Sequence, residues 1–494
     1  MSSFADDLSQ LVGDSALVMI GRIALIGGGF LAHTLLVRNL SPDTFGVLSL
    51  ALTVVSVCAG FAAVGMNQAI ARFIGGSGPE DADEYVVISL SVVLISGGIF
   101  TLLLYFFSGT VASYFDSTGL AVFLKTLSIL IILRPLSKVI MGVTRGFELT
   151  RTKVISHDIL PMVMSVPVLY YFITRNQIIA GAVVYYVLQP VIQTLLLTLN
   201  LHRWGGWSLN ITAPGRDKMD EIFSFSWPLA FESMVVLFLG SIDILMLGWL
   251  TTSEVVGQYR SIQPVAKTVI IFLQVLTFIY LPIATRYYEQ QDFDQLDSFY
   301  KASARWMSHV TFPLVLFYLL FGRDFIQVVF GEEYVVAWVA LAILTLGMYS
   351  RVVAGPNGMT IKAINRTRED LVASIGALLT NVGLNYILIP FYGIVGAAAA
   401  TMVGYLVYNT IDLLIIYRYT GVTPFHLDLF KPFIPTTVAC LGLTYLFNIT
   451  AASLVELVLL GVAISGIHLL SIFLTTGLTE EDQMLLNNLK ARLG

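Results

Sequence analysis

The chain has 494 residues, 56% of them hydrophobic, and a mean hydropathy of +0.82, which leaves too little polar surface for a water-soluble fold. Its net charge of -5 is spread over short acidic loops and excludes a nucleic-acid partner. Cys58 and Cys440 lie in separate apolar stretches without C-x-x-C spacing, so neither a disulfide framework nor a zinc site is indicated.

In chain order, Phe4, Leu8, Leu11 and Val12 recur at i, i+4, i+7 and i+8 and predict an amphipathic segment along a membrane surface. Fourteen apolar segments follow, at 14–37, 44–71, 85–107, 119–143, 154–173, 178–201, 221–249, 255–285, 306–322, 334–356, 371–389, 393–417, 432–448 and 453–475. Most reach the ~17 to 25 residues that cross a ~30 Å hydrocarbon layer as helix, and without water to satisfy the backbone only helices suit. Leu485, Leu486, Leu489 and Leu493 form a second amphipathic stripe at the C-terminus. The expectation is an all-α integral membrane protein of about fourteen transmembrane helices.

Alternate connections carry Arg72, Arg145, Arg151, Lys153, Arg203, Arg216, Lys218, Arg286, Lys301, Arg305, Lys362, Arg366, Arg368, Arg418, Lys431, Lys490 and Arg492. The opposite connections hold Arg38, Arg175 and Arg323. By the positive-inside rule both termini are cytoplasmic, in a multi-pass protein of the cell membrane. No basic region precedes the first apolar stretch, so it is expected to remain as an uncleaved helix.

The sequence repeats itself. Leu40-Ser41-Pro42-Asp43 followed by Gly46 returns as Leu250-Thr251-Thr252-Ser253-Glu254 followed by Gly257, each with a hydroxyl residue suited to cap the next helix and an acid in its first turn. Thr150-Arg151 followed by Ala180-Gly181-Ala182 returns as Thr367-Arg368 followed by Val395-Gly396-Ala397. The shared offset of about 210 to 217 residues spans six helices, an even number, so the halves are parallel repeats. They predict an N-terminal lobe at 1–203, a C-terminal lobe at 204–425, and two further helices with an amphipathic tail at 426–494. Two parallel lobes that rock expose a cleft to each face in turn. No G-x-x-x-x-G-K-[ST] loop or H-E-x-x-H is present, so neither ATP hydrolysis nor a bound cofactor is expected.

Arg22, Lys125, Arg134, Lys138, Arg260, Lys267 and Arg351 fall inside the spans. Arg22 and His33 are eleven residues apart, three helical turns, and so share one stripe of the first helix. At an offset of 210 they superpose on Glu232 and Asp243, so a basic pair in one repeat matches an acidic pair in the other. Arg260, Gln263, Lys267 and Gln274 share one face of the eighth helix, and Arg134 and Lys138 stand at i, i+4 on the fourth. Charges at membrane depth cost several kcal/mol unless paired or hydrated, and together they predict a hydrated, net cationic cleft.

Three stretches resemble the Wzx-type polysaccharide and oligosaccharide-lipid flippases, in the superfamily that also holds lipid II flippases and MATE drug exporters. One is Arg22 leading to Val37-Arg38-Asn39-Leu40-Ser41-Pro42-Asp43-Thr44-Phe45-Gly46, similar to the family's R-x-L-x-P-x-x-F-G turn. Another is Ile242-Asp243-Ile244-Leu245-Met246-Leu247-Gly248 through Val256-Gly257-Gln258-Tyr259. The third is Ala363-Ile364-Asn365-Arg366-Thr367 through Asn385, Ile389-Pro390 and Gly393-Ile394-Val395-Gly396-Ala397-Ala398. The resemblance implies a transporter, not an enzyme, that moves a polyprenyl or dolichyl phosphate-linked glycan by alternating access.

On that reading Arg22, Arg260 and Lys267 hold the phosphate at the lipid junction, with Arg134 and Lys138 as a second rank, because guanidinium forks and an ammonium suit that anion. Glu232, Asp243 and His33 then serve coupling and gating, competing for the same cations or taking up a proton or sodium ion. The expected partners are the lipid-linked glycan and membrane lipids, and the protein is expected to act as a monomer.

Other readings stand beside this one. Arg22 with Glu232 is equally describable as a permanent salt bridge, Arg260 as a snorkelling side chain, and His33 as a satisfied core histidine. Asn381 and Asn385 suit a bridge between helices, and Asp412, aligned with Thr401, Tyr405 and Tyr408, suits contact with sugar hydroxyls or, near the cytoplasmic end, a cap or an interfacial group. A MATE-like cation exporter has the same architecture but would carry an acidic site in the N-terminal lobe, where this chain has Arg22, Arg134 and Lys138. A membrane glycosyltransferase or polymerase would need an acid pair or a large outer loop.

Overall fold

In an apolar layer every backbone N–H and C=O must be satisfied within the chain, and this sequence meets that demand with helices. The structure is a computed structural model that describes residues 2–76, 79–117, 119–205 and 214–477; side chains are described from Gly21 onward, except at 76, 79–81, 204–205, 232 and 276–279. The side chains of the N-terminal amphipathic stripe, the whole C-terminal stripe and the Glu232 side chain lie outside what is described. The chain divides into two compact units, Met1–Gly257 and Gln258–Gly494.

The first unit begins with α1 (Ser2–Asn39). Ser41 then takes an extended conformation and its hydroxyl accepts the Thr44 N–H, capping α2 (Pro42–Ala63) with Pro42 and Asp43 in the first turn. Val64 and Gly65, both at positive φ, end α2 before α3 (Met66–Gly76), so the single expected segment 44–71 is two helices in line. Next come α4 (Pro79–Tyr114), α5 (Leu120–Leu127), α6 (Leu130–Gly146) and α7 (Thr150–Lys153). A π-helical turn at Val154–Ile159 leads into α8 (Leu160–Thr174), then α9 (Ile178–Gly205), α10 (Arg216–Leu239) and α11 (Ile242–Leu250).

Met66, Ile70, Ile74, Tyr85, Val139, Val143, Leu201 and Ile222 form one buried cluster that draws α3, α4, α6, α9 and α10 together. Polar contacts reinforce α10 in that place. Lys218 pairs with Glu84 at 2.9 Å, the Tyr85 hydroxyl donates to Glu221, and the Arg72 guanidinium lies 4.2 Å over the Phe225 ring. This packing holds α10 with the helices before it in the first unit.

The second unit takes up the chain within α12 (Ser253–Lys267), followed by a 3-10 turn at Thr268–Ile270, α13 (Ile271–Glu289) and α14 (Phe293–Val329). A 3-10 segment at Glu332–Ala337 precedes α15 (Trp338–Val353) and α16 (Asn357–Ala363). The 54-residue α17 (Thr367–Thr420) is broken at Gly393 (φ 52°, ψ -126°), a conformation closed to residues with a side chain. It therefore provides two limbs, and Gly396 of the second packs so tightly on the Leu388 carbonyl of the first that a Cβ there would stand 2.5 Å from it.

The last described helices are α18 (Leu427–Phe430), α19 (Phe433–Phe447) and α20 (Leu454–Thr475). Phe433 stacks on Phe312 of α14 with ring centroids 4.2 Å apart, and His468 of α20 meets Thr436 of α19 at 2.9 Å. The outward side of α20 shows Leu454, Val458, Val462, Leu469 and Phe473, all more than half exposed, which only a lipid environment accommodates.

Among the described residues eleven helices are long and apolar enough to cross a membrane, or twelve if the bent pair Ser253–Val275 and Tyr280–Glu289 is one span. The protein is an all-α, multi-pass membrane protein. The expected fourteen are reached only by counting α1 and both limbs of α17 separately.

Candidate functional site

In the first unit polar chemistry gathers where α1 meets the π turn. Pro161 has no N–H to offer the His157 carbonyl four residues back, and the helix widens there. Gln193 of α9 donates to that carbonyl at 3.2 Å, and the Ser137 hydroxyl of α6 donates in turn to Gln193 Oε1 at 3.0 Å. Asp158, 4% exposed, pairs with Lys153 Nζ at 3.0 Å and with His157 Nδ1 at 2.8 Å. Asn200 donates to Ser156 at 2.8 Å. A buried carboxylate held by two partners is satisfied, and such widened turns recur where helices carry function.

Arg22 sits beside this network. Gly21, the residue before it, faces the turn so closely that an added Cβ would stand 2.5 Å from Val154 Cγ1 and 3.4 Å from Asp158 Oδ2. The Arg22 side chain is itself exposed. Further along α1, His33 is half-buried and sets its ring edge-on to Phe45, centroids 5.5 Å apart. On α6, Arg134 donates to the Ser56 hydroxyl of α2 at 2.6 Å, while Lys138, one turn on, is exposed. Asp243 is 4% exposed in the first turn of α11, its Oδ1 accepting the Ile244 N–H at 2.8 Å, where a carboxylate suits the positive end of the dipole.

The second unit holds the other sequence-predicted cations. Arg260 donates from Nη1 to Oε1 of the buried Gln263 at 2.7 Å along one face of α12, and Lys267 is exposed at that helix's end. Gln274 falls beyond the 3-10 turn, on α13, so the predicted single face is interrupted. Asn381 donates to Thr401 at 3.2 Å and Asn385 to Asn381 at 2.9 Å, joining the two limbs of α17 across the Gly393 break.

Two features were missed in the sequence. The first is the set Lys153, His157 and Asp158, which reads as a loop charge followed by apolar helix; Pro161, three residues after Asp158, was the available signal. The second is the burial of Asp412, a residue expected to contact sugar hydroxyls or to serve as a cap or interfacial group. It is instead 0% exposed in the second limb of α17. No cluster of three or more His, Cys, Asp or Glu side chains suited to a metal ion occurs among the described residues.

Comparison with known proteins agrees with this architecture. The family described as polysaccharide biosynthesis protein matches over residues 35–339. The chain is similar to the probable low-salt glycan biosynthesis flippase Agl15 of Haloferax volcanii, 24% identical over 405 residues, covering 81% of this chain and 82% of that protein. Its fold matches that of the lipid II flippase MurJ in an inward closed conformation, with a TM-score of 0.75 at 13% identity, covering 93% of this chain and 99% of the other. An inward-facing MATE family transporter of the MOP superfamily matches less well, with a TM-score of 0.65 at 19% identity over 82% of this chain and 98% of the other.

Proposed function

Since the chain belongs to the polysaccharide biosynthesis protein family, we propose that it is a flippase, not an enzyme, carrying a lipid-linked glycan across the membrane. The observation that carries the reading is a set of cationic side chains in a chain of this family: Arg134 and Lys138 on a helix long and apolar enough to cross a membrane, Arg260 and Lys267 on the first member of the bent pair, and Arg22 on α1.

The physical task explains the residue types. A glycan linked to a polyprenyl or dolichyl carrier has a phosphate or diphosphate at the lipid junction, and that anion must pass a layer where an unpaired charge costs several kcal/mol. Arg22, Arg260 and Lys267 meet it first, and Arg134 and Lys138 support it. The lipid tail stays among acyl chains. Glu232, Asp243 and His33 take over the cations or a coupling proton or sodium ion when substrate is absent, so that loading and conformational exchange are linked. Transport runs from the cytoplasmic to the outer leaflet of the cell membrane by alternating access of two parallel repeats, with both termini cytoplasmic and one chain sufficient.

A MATE-like cation exporter is the second reading, favoured by the shared fold. Against it stands the same set of cations, which repels a cationic substrate. Vesicles containing the purified protein and a fluorescent lipid-linked oligosaccharide separate the two, read by a membrane-impermeant quencher. Protein-dependent loss of protected label supports the flippase, whereas uptake of a cationic dye without glycan movement replaces it with the exporter.

A further inference from the structure

We propose that Asp412 is a proton-carrying site, loaded and emptied through Tyr408 and Asp370. Asp412 is 0% exposed, and neither of its carboxyl oxygens has a hydrogen-bond partner among the described residues. The donors around it are turned elsewhere. The Tyr300 hydroxyl donates to the Ala354 carbonyl at 2.7 Å, Asn409 to Ser350 at 3.1 Å, and Asn357 to Asn409 Oδ1 at 3.2 Å. An ionised carboxylate in such a place loses its hydration and gains no hydrogen bond in return, so the neutral acid is the form that fits.

The charged and titratable groups that act on Asp412 come from three helices. Asp370 belongs to the first turn of α17, Arg351 to α15, and Tyr300 to α14, with Tyr408 on its own limb. Arg351, the one cation among these groups, lies 5.0 Å over the Tyr405 ring. A metal cation needs several free oxygens, and the nearby amide oxygens are engaged: Asn409 Oδ1 accepts from Asn357, and Asn357 Oδ1 accepts the Gly358 N–H at 3.0 Å. A proton needs none of them.

The route follows from helix spacing. Tyr408 and Asp412 stand at i, i+4 and so share one face, and the Tyr408 hydroxyl donates to Asp370 Oδ1 at 2.7 Å. Asp370 is half-buried at the start of α17. On the far side, one turn beyond Asp412, Ile416 is sealed among Tyr280, Leu296 and Ile361. When the site empties, the Asp412 carboxyl first turns to the Tyr408 hydroxyl; its O–H bond then breaks and its proton joins the Tyr408 oxygen as the Tyr408 proton passes to the Asp370 carboxylate. Water then takes it from Asp370. Loading reverses these steps. The link from this proton to glycan movement rests on the flippase reading; the site itself does not.

Infrared difference spectroscopy on the full-length protein tests the site without substrate. At neutral pH the wild type is expected to show the carbonyl stretch of a buried carboxylic acid, shifted in heavy water. Asp412→Asn, which mimics the neutral acid, removes the band, and Asp370→Asn keeps it. Should Asp412→Asn fail to fold, Asp412→Glu moves the band instead. Tyr408→Phe keeps the band and slows its hydrogen–deuterium exchange by about tenfold or more. A band untouched by either Asp412 variant, a band abolished by adding sodium at fixed pH, or wild-type exchange in Tyr408→Phe would each overturn the proposal.

Discussion

Gly46 and Gly257 face one another across the start of α2 and the start of α12, each pressed against the other helix's first turn. A Cβ on Gly46 would overlap the Ser253 carbonyl, and a Cβ on Gly257 would overlap the Pro42 carbonyl. Ser253 precedes Gly257 by the same four residues as Pro42 precedes Gly46. The two contacts thus mirror one another, and each glycine is the residue that lets the other helix's backbone approach. Gly46→Ala and Gly257→Ala are expected to cost about 1 to 3 kcal/mol each through overpacking, seen as a lowered Tm in detergent. Unchanged melting in both variants would mean the contact is not maintained in the protein.

The π turn makes a second prediction. Asp158 is the shared partner of Lys153 and His157, so Asp158→Ala strands a cation and is expected to destabilise by about 3 kcal/mol. Gln193→Ala, which removes a donor from the His157 carbonyl, is expected to cost about 1 to 3 kcal/mol. Thermal unfolding of the two variants beside wild type checks the order. If Gln193→Ala proved the more damaging, the carboxylate would not be the keystone of this network.

A third concerns the trailing helices. Phe433 stacks on Phe312 and meets His309 and His468 edge-on or tilted. Phe433→Ala is expected to loosen α19 and α20 from α14 at a cost of about 3 kcal/mol. Hydrogen exchange should then rise in α20 while the first unit keeps wild-type protection. A uniform rise over the whole chain would argue against separable anchoring.

Much of the fold was legible because membrane helices announce themselves by length and apolarity. The Ser41 cap, with Pro42 and Asp43 behind it, was readable residue by residue. What was not legible was where some helices break. Val64-Gly65 interrupts an unbroken apolar run and Gly240-Ser241 separates α10 from α11, and in both tertiary packing decides the break. The break at Gly393 was legible, because the apolar segments 371–389 and 393–417 part there. The intramembrane cations stood out by residue type alone. Asp412 did not, because its distance from the end of an apolar segment suggested an interface; its burial depends on α14 and α15, far away in sequence. The Lys153–Asp158 pair was hidden for the same reason.

A fourth prediction follows from residue chemistry at Arg134. Its hydrogen bond to Ser56 is a side-chain contact that one turn of α6 separates from Lys138. If the pair supports the phosphate, Ser56→Ala is expected to lower translocation only modestly, since it removes a hydrogen-bond partner of Arg134 and keeps both charges. Arg134→Gln should reduce translocation further, because it removes the charge itself. Initial rates in vesicles give the comparison, and equal rates for Arg134→Gln and wild type would take Arg134 out of the substrate path.

The most direct measurement compares glycan translocation by wild type, Arg22→Ala, Arg22→Lys and Lys267→Ala in vesicles at matched protein density. If these cations receive the phosphate, both alanine variants fall by about tenfold or more, since a charge-assisted hydrogen bond contributes about 1.5 to 3 kcal/mol, and Arg22→Lys keeps a partial rate. Wild-type rates in both alanine variants, with the protein folded, would contradict the account at its centre.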